Sequence, residues 1–146
     1  MGLNTQFEIG VQAGLLLNSW AFMASVIDPG VAVRDEIRGR LLPFADRLFN
    51  QLAPDQPGHH FLALMADATG DVDQADEHFH SSISLLERIG ARLMTAISQV
   101  AWARSLARRY EEDRAKELAR HALDVARETG ATQIQREAEE LVGAMS

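Results

Sequence analysis

Asp73–Ala91, DQADEHFHSSISLLERIGA, and Asp113–Ala131, DRAKELARHALDVARETGA, lie 40 residues apart and read as two copies of one unit. Five of their 19 aligned positions are identical: Asp73/Asp113, Ala75/Ala115, Glu77/Glu117, Gly90/Gly130 and Ala91/Ala131. Ile83/Leu123 and Leu85/Val125 are apolar in both. Each copy opens on an acidic residue, which complements the positive end of a helix. Each closes on a glycine, which accepts the left-handed conformation beyond a helix end. A period of this length with two helices per unit means stacked helical hairpins. One hairpin cannot bury its apolar face alone, so the stack grows as a curved solenoid with a concave surface.

Outward from this repeat, the rest of the chain also reads as helix. Ala, Leu, Glu, Arg and Gln, all strong helix formers, dominate it, and no stretch alternates apolar and polar residues for long. The first helix runs from about Thr5 to Ile27, opened by a capping box of Thr5 and Glu8 and closed by Asp28-Pro29-Gly30. The second runs from about Val31 to Leu52, with a kink or split expected near Leu42 because Pro43 removes a hydrogen bond there. After a loop at Ala53–Gly58, the third spans His59–Thr69. The fourth runs from the acidic start at Asp71–Asp73 to Ile89. The fifth spans Arg92–Arg109 and the sixth Asp113–Thr129. The seventh opens on a capping box at Thr132–Gln135 and runs to about Gly143. The expectation is a single all-α domain over residues 1–146, with about three helical hairpins and a C-terminal capping helix.

Composition narrows the function classes. The net charge is −7 and the basic residues are scattered, which disfavours nucleic acid and anionic membrane surfaces as partners. The absence of cysteine excludes disulfides and thiolate metal sites and suits a cytoplasmic protein. No signal peptide is evident. Ile9–Ile27 is the most apolar stretch, but Gln12, Asn18, Ser19 and Ser25 interrupt it, so it reads as a buried helix and not a membrane span.

The segment Gly70-Asp71-Val72-Asp73-Gln74-Ala75, with Phe79 and Ser82, resembles the turn and second helix of a tetratricopeptide repeat. Ala75 and Ser82, like Ala115, Ala119 and Ala122, stand where that motif uses small residues to bring helices close, and Leu62 and Ala63 resemble its first-helix pair. The 40-residue unit, LLPFADRL at Leu41–Leu48 and ERIGAR at Glu87–Arg92 are similar to the helical-repeat region of large bacterial ATPase-type regulators. These include LuxR-like regulators and proteins carrying nucleotide-cyclase domains. The resemblance covers about Gly30–Val142 and implies a tetratricopeptide-like superhelix. It further implies a role in protein binding within transcription regulation or signalling. Three features depart from it. His59 replaces the usual aromatic, Tyr110 stands where the pattern of Gly70 calls for glycine, and no ATPase, cyclase or helix-turn-helix motif is present. The turn after the fifth helix is therefore expected to be continuous or irregular.

Constellations for chemistry are weak. His78 and His80 are two apart and face apart on a helix, unlike a zinc-binding HExxH pair. The five histidines read as surface or groove residues. The acidic stretch from Asp67 to Glu77 lacks the spacing of a calcium loop and reads as helix capping. No glycine-rich phosphate loop and no nucleophile elbow occur. The chain therefore reads as a non-enzyme without metal or cofactor. Core packing is the plain reading of Trp20 and Trp102.

The resemblance places the first helix of each hairpin on the concave face. That assigns a partner groove to His60, Leu64 and Asp67 on the third helix and to Arg104 and Arg108 on the fifth. Arg104 and Arg108 lie one turn apart and can grip a carboxylate, or else pair with Glu111 or Glu112. The first helix carries Leu15, Leu16, Trp20, Phe22 and Met23 around most of its circumference, which calls for cover on every side, from an upstream repeat of a longer protein or from the same helix of a second chain; for an isolated chain this predicts a homodimer through that helix. Two functions remain open: a protein–protein interaction scaffold that binds a protein or peptide, and a small-ligand sensing domain of a regulator.

Overall fold

The computed structural model describes residues 19–49 and 56–145. Leu15, Leu16 and the Thr5/Glu8 capping box lie outside the described residues. The described chain is all-α apart from one two-residue strand pair. Among the described residues no helix is long and apolar enough to cross a membrane. Among the described residues, contacts gather in two compact units, divided between His78 and Phe79.

In the first unit, α1 is helical over residues 19–26. It ends at Asp28-Pro29-Gly30, where the Gly30 N–H donates to Asp28 Oδ1 at 2.9 Å. Helix α2 spans Val31–Leu41, and a 3-10 turn at Leu42–Phe44 carries Pro43. The expected break near Leu42 is there, but the helix does not resume over residues 45–49; Leu52 lies outside the described residues. Proline lacks the N–H that would continue the ladder and its ring crowds the preceding turn. The chain extends instead into strand β1, Leu48–Phe49, antiparallel to β2, Gln56–Pro57. Helix α3, Gly58–Ala68, then packs under the 3-10 turn. A Cβ at Gly58 would lie 2.9 Å from Ala45 Cα and from Phe44 O, so this approach requires glycine. The core of the unit joins Ala21, Ala24, Ile37, Leu41, Ala45, Leu62 and Met65, with Phe44 and Phe61 at its edge.

Helix α4, Val72–Arg88, begins in the first unit and continues into the second. Asp71 Oδ1 accepts the Gln74 N–H at 3.3 Å, the acidic cap the sequence calls for. The second unit adds α5 (Arg92–Arg108), α6 (Glu112–Thr129) and α7 (Thr132–Ala144). Ala115, Ala119, Ala122 and Ala126 are fully buried along one face of α6, so the backbones approach closely. Trp102 is half-buried and stacks on Phe79, ring centroids 6.0 Å apart, with the Arg114 guanidinium 5.5 Å from its own centroid. Helix α7 lays Ile134, Ala138 and Leu141 against this core and turns Arg136, Glu139 and Glu140 outward. Its expected capping box does not form. Ala131 occupies the N-cap without a side-chain bond, and Thr132 is already the first helical residue.

The turns between helices share one geometry. Gly70, Gly90, Tyr110 and Gly130 all have positive φ, at 77°, 72°, 63° and 70°. After each of the four, the next residue donates to the carbonyl five residues back: Asp71 to Ala66, Ala91 to Leu86, Glu111 to Leu106 and Ala131 to Ala126, at 2.9–3.0 Å. The turn after α5 is therefore regular, contrary to expectation. Tyr110 occupies a conformation that its neighbours in the pattern fill with glycine, with its side chain 88% exposed.

Candidate functional site

The groove residues divide between the units. On α3, Leu64 and Asp67 are half-buried, but His60 is buried, so it cannot face a partner. Its ring lies edge-on to Phe61 at 5.4 Å between centroids. Burial alone lowers its pKa to about 4, because the charged form loses its water. On α5, Arg104 and Arg108 are both exposed, one turn apart. Arg104 is held by Glu137 of α7 at 2.9 Å, not by Glu111 or Glu112. Glu111 instead takes Arg114 at 2.6 Å, with Arg109 at 3.7 Å.

The histidines correct the surface reading a second time. His78 is also buried, and its Nδ1 lies 2.9 Å from Nδ1 of His59. His59 Nε2 lies 3.3 Å from Asp46 Oδ1. One ring must donate at this contact and the other accept, so only one of the two Nδ1 atoms carries a proton there. Burial first, and the His59 ring second, push the His78 pKa below its ordinary value. His121 makes a separate contact, Nδ1 to Gln99 Oε1 at 3.1 Å. Among the described residues no group of three His, Asp or Glu is placed to hold a metal ion.

Beside His78 is a cavity of about 220 Å³. Arg34 and Arg38 of α2 line one side, and Leu62, Met65 and Ala66 of α3 form its apolar part. Arg34 pairs with Asp28 at 3.1 Å, and Arg38 donates to the amide oxygen of Gln74 at 2.7 Å. Sequence reasoning missed this group. The i,i+4 arginine pair was legible on α2. The antiparallel hairpin about Gly70 was the signal that sets the start of α3 beside the middle of α4.

The remaining feature is an apolar face on α1 and α2. Trp20, Phe22, Met23, Val26, Ile27, Val31 and Val33 are all exposed, Trp20 by 53%. A shallow hollow there is lined by Trp20, Met23, Ala24, Ile27, Pro29, Val33 and Ile37, without a charged residue. Trp20 thus departs from the core reading given to both tryptophans. The chain matches no protein family, no curated protein and no solved structure.

Proposed function

We propose that this chain is a protein–protein interaction scaffold of tetratricopeptide-like type, acting in the cytoplasm as part of a bacterial regulatory or signalling system. The observation that carries the binding role is the exposed apolar face of α1 and α2. Isolated exposed apolar residues are ordinary, but a contiguous patch rimmed by polar surface marks a contact site. A second copy of the chain fits this face. Two copies, each with net charge −7, repel over most of their surface, and this uncharged patch is where they approach most cheaply. A two-fold contact sets the same patch against itself. Arg104 and Arg108, with Leu64 and Asp67, remain the proposed contacts for an acidic partner segment.

Light scattering at micromolar concentration tests the contact. A particle of twice 16.1 kDa is expected, reverting to monomer in Trp20→Asp with helicity kept. A wild-type monomer would remove self-association from the proposal. A second reading, an effector-sensing domain, is favoured by the cavity beside His78, which gathers charged and apolar groups within one unit.

A further inference from the structure

We infer that the cavity between α2, α3 and the start of α4 binds a small organic monocarboxylate with a compact apolar body. The inference rests on the effector-sensing reading and is independent of self-association. The hollow on α1 and α2 uses Val33 and Ile37, whereas the cavity uses Arg34 and Arg38 on a different face of α2.

Size sets the first limit. A dry cavity of about 150 Å³ holds benzene, so about 220 Å³ takes one ring with a carboxylate, or a chain of roughly eight carbons. Leu62 and Met65, both nearly fully buried, supply the apolar floor that such a body needs.

Charge sets the second. Arg34 and Arg38 are one helical turn apart, so their guanidinium groups serve one side of the cavity. The Arg34 side chain is only 16% exposed, and its partner Asp28 is 77% exposed and lies outside the lining. The Gln74 amide that receives Arg38 is neutral and uses part of a group with five N–H donors. Both arginines therefore retain donors for a carboxylate, and charge-assisted bonds to it strengthen where water is scarce. Asp35 and Asp71 also line the cavity, and their charges oppose a phosphate or a dicarboxylate more than a single carboxylate. His78, kept neutral by burial, adds a ring edge without a further charge.

Benzoate, phenylacetate and octanoate are the probes, titrated into the full chain and followed by two-dimensional NMR. Saturable binding is expected, with shifts centred on Arg34, Arg38, Leu62 and Met65. Arg38→Gln should weaken binding by roughly tenfold or more. Thr69→Trp, at an exposed lining residue away from the apolar face of α1 and α2, should block entry without touching the core. Arg127→Gln, at an exposed residue of the second unit paired with Glu139, should change nothing. The inference fails if none of the three acids saturates at millimolar concentration, or if Arg38→Gln and Thr69→Trp, both folded, bind as the wild type does. It fails equally if benzylamine or inorganic phosphate binds as well as benzoate. Light scattering on the same samples reads self-association separately.

Discussion

Acidification should loosen the first unit through one side chain, His60. In the unfolded chain this imidazole titrates near its ordinary 6.5; in the fold burial lowers it to about 4. Between these values the unfolded chain binds a proton that the folded chain refuses. The stability due to a neutral His60 is therefore complete above about 6.5 and is lost as the pH falls through about 4. The full loss is about 3 kcal/mol, from 1.36 kcal/mol per unit of difference. Integrated between about pH 7.5 and about pH 5, the loss is about 2 kcal/mol. His78, also lowered, adds to it with the same sign. Urea titrations at the two pH values, followed by circular dichroism, measure the change directly. His60→Gln, which cannot charge, should remove most of the slope between wild type and variant, whatever the carboxylates contribute to both. The Cε1–H resonance of His60 should titrate near 4. A midpoint above about 6, or equal pH slopes in wild type and His60→Gln, would refute the reasoning.

Tyr110→Gly should stabilise the second unit by roughly 0.5–1 kcal/mol: the left-handed conformation costs a non-glycine residue about 1–2 kcal/mol, part of which glycine's looser unfolded chain offsets. Differential scanning calorimetry would show this as a midpoint raised by a few degrees, and a lowered midpoint would contradict it. Gly58→Ala should destabilise the first unit by about 1–3 kcal/mol, because the added carbon meets backbone atoms at 2.9 Å that cannot rotate away. An unchanged denaturation midpoint there would mean that α3 does not sit so close to the 3-10 turn. Arg104→Ala with Arg108→Ala should cost less than about 1 kcal/mol of stability, since the Glu137 pair is exposed, yet weaken an acidic peptide in a fluorescence titration. Full-strength binding by the double variant would end the proposed role of these arginines.

The sequence discloses helices more readily than sites here, for physical reasons visible in particular residues. Glycine at 70, 90 and 130 and acids at 71 and 113 mark helix ends by local backbone chemistry, so α3 to α7 begin and end close to where the residues say. Pro43 announces a break but not the path of the chain beyond it, because the extension into β1 depends on a partner strand supplied by Gln56–Pro57. Tyr110 carries no local sign of a left-handed turn; the packing of the helices on either side imposes it. On α5 the polar residues Thr95, Ser98, Gln99 and Ser105 are buried, with Ser98 Oγ 3.0 Å from Ser82 Oγ, so a polarity pattern points the wrong way around that helix. The register that the resemblance implies puts His60 in a groove and does not foresee its burial on α3. The Asp46, His59 and His78 arrangement needs three elements in register, and no spacing along the chain encodes that.

The left-handed residues at 70, 90, 110 and 130 keep a beat of 20 residues, and in the second unit α5 packs chiefly on α6, and α6 on α7. Each helix thus finds its partner a short loop away, where closure entropy is small and folding falls in the microsecond-to-millisecond range of helical proteins. During synthesis at roughly 5–20 residues per second, a new helix leaves the ribosome about every one to four seconds. Docking is far faster than that interval. Growth of the second unit is therefore paced by translation, each helix settling on its predecessor before another emerges.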